Sequence, residues 1–169
     1  IIGSVTASGK RTGLQALSKL YTMFNAVLNI LAAPFWSEDP DVYKAMISAV
    51  QKLNGHWDAF VNADLPIYDS KAKAAIDTLK KAEEWADSNG YNNGFSKVYW
   101  PQVQYAGKAY HLSTQATVTM QRVDNSHDSI PMESPSNKEI MCTAQYFGVS
   151  SENEGFDQQD GNELNSKGI

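Results

Sequence analysis

The chain has 169 residues, a length that fits one domain able to bury roughly 70% of its unfolded surface. Aliphatic, aromatic and charged residues occur in ordinary globular proportions, which argues against wholesale disorder. The net charge of −5 argues against a general affinity for nucleic acid or for an anionic membrane surface. No apolar run reaches the roughly 20 residues of a membrane-spanning helix, and no signal peptide is visible.

The single cysteine, Cys142, excludes an internal disulfide framework and cannot supply a thiolate zinc site alone. It follows the apolar pair Ile140 and Met141, so we expect a buried structural thiol. The chain begins at Ile1 without an initiator methionine, and we expect it to be a fragment of a longer protein.

Residues 12–32 predict a helix followed by a strand. Leucine and aromatic side chains recur every three or four residues over 12–24, which places them on one face of a helix with Thr12 as its N-cap. Residues 27–32 then form a short, almost continuous apolar run. Such a run is typical of a strand that is covered on both faces.

A second helix and strand follow directly. Asp39 and Pro40 predict a helix start, with the acid as cap and the proline in the first turn. An apolar stripe continues to Leu53, and Gly55 is expected to end the helix. Residues 57–63 are the next predicted strand.

A third helix and strand complete the alternation. Ser70 is the predicted cap of a helix with an alanine-rich stripe, and Gly90 is expected to follow its end. Residues 95–103 form the third predicted strand, with Pro101 at its end or at an unpaired position.

The order of helix, strand, helix, strand, helix, strand is typical of right-handed βαβ units. It predicts an α/β fold in which helices pack on a parallel-type sheet, as a three-layer sandwich. We expect residues 1–11 to be a linker or flanking segment and residues 12–149 to be the core domain. Residues 150–169 are expected to be a polar loop or insertion that leads into a truncated continuation.

The pattern weakens after Tyr105. Residues 113–124 could form a helix or an alternating strand. Residues 127–137 contain Pro131 and Pro135 and predict a loop. Residues 150–167 are polar and acidic, which predicts a long loop or a disordered insertion.

No catalytic, cofactor-binding or metal-binding residues are predicted. Gly9 and Lys10 resemble part of a phosphate-binding loop, but no Ser or Thr follows the lysine, so we interpret the segment as a flexible linker. His56, His111 and His127 lie in no nucleophile or metal motif and are expected to be structural or solvated. The acidic residues of 157–163 lack a calcium-loop pattern and predict a solvated surface.

Two functional alternatives remain open from the residues alone. A small α/β hydrolase or transferase would place its site at the carboxyl ends of the strands, near Pro34, Asp64 and Pro101. A ligand- or carbohydrate-binding module would use the aromatic strand around Trp100. Aromatic residues that alternate on a strand more often pack in the core and across strands.

Several short motifs follow one another in a recognisable order. Residues 12–17 read T-G-L-Q-A-L, residues 28–34 read L-N-I-L-A-A-P, and residues 58–60 read D-A-F ahead of Pro66. Residues 98–101 read V-Y-W-P, residues 122–124 read R-V-D, and residues 134–137 read S-P-S-N. In this order and spacing the chain resembles the sheath proteins of contractile phage tails and related injection systems, over about residues 12–169.

The resemblance implies the central, so-called subtilisin-like domain of a sheath protein, a structural and non-enzymatic subunit. It also implies that residues 113–124 are helical. Val123 replaces the family's usual threonine, residues 130–132 replace a frequent tryptophan, and residues 150–161 look like an insertion. These departures concern which subfamily of sheath proteins the chain resembles, more than the resemblance to the family itself.

By resemblance, the full-length protein would be a virion component that is assembled in the bacterial host cytoplasm. Its partners would be other copies of itself, in hexameric rings and a helical lattice, and a tail tube protein. Contraction would drive the tube through the host envelope. No cofactor, nucleic acid or membrane insertion is implied, and the fragment alone is expected to be monomeric.

Overall fold

The computed structural model describes residues 1–169. Two short 3-10 helices span Gly13–Lys19 and Trp36–Glu38. The α-helices are α1 (Leu20–Phe24), α2 (Pro40–Val50), α3 (Leu79–Asn89), α4 (Leu112–Asn125) and α5 (Gln158–Ser166). The strands are β1 (Ile30–Ala32), β2 (Phe60–Asp64), β3 (Tyr68–Asp69), β4 (Ala74–Ala75), β5 (Ser96–Tyr99), β6 (Gln102–Tyr105), β7 (Lys108–Tyr110) and β8 (Ala144–Tyr146).

The centre of the fold is a parallel sheet in the order β1-β2-β5. Ile30 pairs with Phe60 at one edge of β2, and Val61 pairs with Ser96 at the other. The predicted α/β class and its parallel sheet are therefore confirmed.

Helices cover both faces of this sheet. Asn62 of β2 donates from Nδ2 to the hydroxyl of Thr117 in α4 at 2.8 Å, so α4 lies on one face. Val61 and Ala63 point the other way, because successive side chains of a strand alternate. They are fully buried in the core cluster that also contains Met46 of α2.

Helix α2 shows how local signals position the core. Asp39 Oδ1 accepts hydrogen bonds from the backbone N–H groups of Asp41 and Val42, as expected for an N-cap followed by proline. The helix ends at Val50, before the predicted stop at Gly55, which lies in the following turn. On its buried face, Tyr43 stacks on Tyr91 with ring centroids 4.1 Å apart.

The predicted third strand is two strands that belong to two sheets. β5 completes the parallel sheet, and β6 lies between β7 and β8 in an antiparallel sheet. Pro101 separates them, since a proline has no N–H to donate to a ladder. It therefore lies at the boundary between the two sheets.

Helix predictions before residue 90 needed correction at two places. Residues 13–24 are helical, but most of the segment is a 3-10 helix. Leu14 is its one buried residue, and Phe24 is exposed. Ser70 is not a helix cap. The Asp69 carboxylate holds the backbone N–H groups of Lys71 and Ala72 in a turn, and Thr78 caps α3 instead.

Of the expectations for residues after 112, two are met and one is wrong. Residues 113–124 are helical in α4, and residues 127–137 form a loop, as expected. The segment predicted as a loop or disordered insertion contains α5, which begins with a capping box between Asp157 and Asp160. Leu164 and Ile169 are buried in the core cluster, so apolar contacts hold this polar segment in place.

Cys142 is exposed, so the predicted buried thiol is wrong. Its apolar neighbours Ile140 and Met141 are also exposed, in the loop between α4 and β8. None of the helices combines the length and the apolar composition that crossing a membrane requires.

Candidate functional site

The carboxyl edge of the parallel sheet gathers a buried polar cluster, which we define as Ser37, Glu38, Asp64, His111 and Ser113. Asp64 ends β2, Ser37 and Glu38 lie in the 3-10 helix after β1, and Ser113 lies in the first turn of α4. Parallel strands place their carboxyl ends at one edge of the sheet, which brings these distant residues together.

Asp64 is the centre of the cluster and is 1% exposed. Its Oδ1 accepts from the backbone N–H of Ser113 at 2.8 Å, and its Oδ2 accepts from the Ser113 hydroxyl at 2.5 Å. Its own N–H donates to Ser37 Oγ at 3.0 Å. N–H groups in the first turn of a helix have no hydrogen-bond acceptor inside the helix. Asp64 therefore supplies the acceptor for one such N–H group at the start of α4.

His111 Nδ1 lies between two carboxylates. It is 3.3 Å from Glu38 Oε1 and 3.7 Å from Asp64 Oδ2. Neither Glu38 Oε1 nor His111 Nδ1 has a hydrogen-bond partner, because the contact between them is close without hydrogen-bond geometry. The cluster thus brings three titratable groups into close contact.

Burial and the nearby Asp64 carboxylate raise the pKa of Glu38 to about 7. Burial also raises the pKa of Asp64, while hydrogen bonds from Ser113 and the charge of His111 act in the opposite direction. Both carboxyl groups therefore hold their protons more tightly in the folded chain than in the unfolded chain.

The geometry supports a structural part for this cluster. Ser113 donates its hydroxyl hydrogen bond to Asp64 and is fully buried, so its oxygen is not open to a substrate as a serine nucleophile must be. The contacts connect the ends of β1 and β2 with the start of α4. No group of three or more His, Cys, Asp or Glu residues has an arrangement that could hold a metal ion.

An open cleft of about 440 Å³ lies beside the cluster and shares Glu38 with it. Its walls are the segment after β1 and the segment after β2, together with one side of α3. The lining combines aromatic side chains, carboxylates and one lysine: Phe35, Trp36, Glu38, Asp39, Pro40, Pro66, Tyr68, Asp69, Ser70, Lys71, Trp85 and Asn89.

Asp64 and Trp100, which the two alternative functions name, are both buried. Asp64 lies at the predicted edge, but its carboxylate is enclosed and occupied by Ser113. Trp100 is 3% exposed and packs against Phe147 and Phe156, with ring centroids 5.2 and 5.9 Å away. Core packing accounts for this aromatic residue.

The other histidines lie apart from the cluster. His56 is in an exposed turn against the ring of Trp57, and His127 Nε2 is 2.7 Å from Glu133 Oε2 in the loop after α4. Gly9 and Lys10 lie in a small exposed hairpin, in which Val5 pairs with Arg11. The sequence placed Asp64 at the sheet edge but gave no signal that joins Glu38 to His111.

Comparisons with known proteins identify one relative. The chain is 29% identical over 148 residues to a protein of Pseudomonas aeruginosa (strain UCBPP-PA14) described as "Putative prophage major tail sheath protein". The aligned region is 83% of this chain and 33% of the relative, so the chain spans about a third of the length of the curated relative. No family model matches the chain, and no solved structure matches it.

The comparison agrees with the resemblance that the motif order indicates. The motifs named from the sequence lie in order along the fold: V-Y-W-P includes the end of β5, R-V-D lies in the last turn of α4, and S-P-S-N lies in the loop that follows. The chain is therefore similar, over most of its own length, to a protein described as a putative prophage major tail sheath protein.

Proposed function

We propose that this chain is the central domain of a subunit of a contractile tail sheath. The observation that carries the proposal is the match to the prophage tail sheath protein over 83% of the chain. In the full-length protein, copies would stack as hexameric rings around a tail tube. Head-to-tail interfaces that do not close generate helical arrays, which is the geometry that a sheath requires.

The fold suits a subunit that moves as a rigid body. Helices lie on both faces of the parallel sheet, and α5 joins the same core through Leu164. Contraction would then change the packing between subunits and leave each subunit's interior intact. The tube protein would be the second partner, and the assembled virion tail would be the location.

Expression of the full-length gene product tests the proposal. Negative-stain electron microscopy should show hollow tubes with a helical repeat. Dispersed particles at all concentrations and salt conditions would contradict it. We expect the 169-residue chain alone to sediment as a monomer.

A further inference from the structure

The cleft beside the polar cluster has the lining of a cation-binding surface. Three aromatic side chains in it are largely open to solvent: Phe35 is 63% exposed, Trp36 is 53% and Tyr68 is 52%. The carboxylates of Asp39 and Asp69 stand among them, with Lys71 as the one basic side chain. Aromatic faces and carboxylates together attract ammonium and guanidinium groups.

The two carboxylates are fixed in place before any partner arrives. Asp39 Oδ1 is held by the first N–H groups of α2. Asp69 Oδ1 accepts from the backbone N–H of Lys71 at 2.8 Å, and its Oδ2 accepts from Trp85 Nε1 at 3.0 Å. A surface that is already ordered loses little conformational entropy when it binds.

The backbone at Phe35 supports a binding role for this cleft. Its φ is 70° and its ψ is −47°, which is an unfavourable conformation for a bulky side chain. Such strain persists where the surrounding structure holds a residue in a required position. Here it places an aromatic ring in solvent, with its centroid 5.7 Å from that of Trp36.

The chain itself supplies a matching cation. Its first 37 residues contain no aspartate or glutamate, and their charged side chains are Lys10, Arg11 and Lys19, so all 19 acidic residues lie further along. Lys10 and Arg11 belong to the exposed hairpin formed around the bridge between Val5 and Arg11, which we call the basic hairpin (residues 5–11). Neither residue forms a salt bridge within the chain.

We propose that the basic hairpin of one copy docks into the acidic aromatic cleft of a second copy. The proposal rests on the proposed function, because a sheath lattice is what brings copies together repeatedly in one register. The contact joins two different surfaces, so it is head-to-tail and compatible with a helical array. It is weak between two free copies and gains strength when many contacts form at once.

Disulfide trapping between two variants tests this contact. In a Cys142→Ser background, one protein carries Ser8→Cys next to the hairpin cations, and the other carries Ser70→Cys in the cleft. The matched control pairs Ser8→Cys with Ser166→Cys, another exposed serine that lies outside the cleft. All cations and carboxylates of the proposed contact remain in place.

The docked pair should give severalfold more mixed disulfide dimer than the control pair. The excess should fall at about 1 M salt, where the Debye length is about 3 Å. Adding Lys10→Glu to the Ser8→Cys protein should remove it. Equal yields from the two pairs, or an excess that Lys10→Glu leaves unchanged, would overturn the proposal.

The trapping result and the tube experiment answer separate questions. Tubes of the full-length product together with equal disulfide yields would overturn the docking contact and leave the sheath function standing. A hairpin-dependent excess of the trapped dimer without tubes would support the contact and contradict the sheath function.

Discussion

The parallel sheet and the antiparallel sheet of this chain are packed very differently. The last four residues of β2 are buried, with helices on both faces of the strand. In the antiparallel sheet each strand is partly open to solvent, and Val103 is the one fully buried residue of β6. The main packing contacts are therefore concentrated around the parallel sheet and the helices that cover it, which we call the parallel half. The antiparallel sheet and its surroundings are the antiparallel half.

This difference indicates how the two halves divide their roles. The parallel half contains most of the core cluster and shapes the edge where the polar cluster and the cleft lie. The antiparallel half extends the domain and is joined to the core by the aromatic contacts of Trp100, Phe147 and Phe156. Stability should depend mainly on the first half, and substitutions can test that ordering.

The largest effect is expected from Met46→Ala in α2. Met46 is fully buried, so the shorter side chain leaves a cavity and should lower the free energy of unfolding by about 2–5 kcal/mol. Urea unfolding followed by tryptophan fluorescence measures the change. The matched control is Met23→Ala, whose side chain is 67% exposed and whose effect should stay within about 0.5 kcal/mol. Similar losses from both variants would contradict the expectation that stability depends on the buried core around α2.

Glu38→Gln should stabilise the chain at high pH. The raised pKa of Glu38 means that the folded state binds a proton between about pH 4.5 and about pH 7 that the unfolded state has released. Unfolding free energy therefore falls as pH rises through this window. Glutamine removes that loss, giving a gain on the order of 2 kcal/mol at pH 8 and almost none at pH 4.

Urea unfolding of this variant at several pH values measures the gain. The control is Glu154→Gln at an exposed position, which should leave the pH dependence unchanged. A gain for Glu38→Gln that is equal at pH 4 and pH 8 would show that burial of the Glu38 charge is not its source.

The same substitution in the two sheets compares them directly. Val61→Ala in β2 should cost about 2 kcal/mol, since both faces of that strand are covered. Val103→Ala in β6 should cost about 1 kcal/mol, because Val103 is buried outside the core cluster and its neighbours can adjust. Chemical unfolding of both variants gives the two values. A larger cost at Val103 would contradict the proposal that stability depends mainly on the parallel half.

A similarly small effect is expected at the start of α5. Asp157→Ala removes the side chain that accepts from the backbone N–H groups of Gln159 and Asp160, and should cost about 1 kcal/mol. Hydrogen exchange should show faster opening of α5 while β2 stays protected. Uniform acceleration across both elements would mean that α5 unfolds only with the whole domain.

The parallel half could be predicted from the sequence because its signals are local. An acid followed by proline starts α2, and continuous apolar runs mark strands that are covered on both faces. The antiparallel half lacks such signals, since β6 pairs with β8 about 40 residues away. The start of α3 was misplaced because Asp69 and its neighbours compete for the same backbone groups through a turn.

The candidate site was predictable only in position. The rule for parallel sheets indicated Asp64 at the carboxyl edge. Its contact with Ser113 and the approach of His111 to Glu38 depend on tertiary packing that no spacing in the chain encodes. The order of motifs nevertheless indicates a resemblance to sheath proteins, which agrees with the similarity to the prophage tail sheath protein.

Antibody labelling of intact tails tests the central claim most directly. Antibodies raised against this chain would be applied, with gold markers, to particles released from cells that express the full-length gene. A sheath subunit predicts gold along the whole tail, with the labelled region becoming shorter and wider after contraction. Gold confined to a tail tip, or found only on dispersed protein, would contradict the sheath assignment.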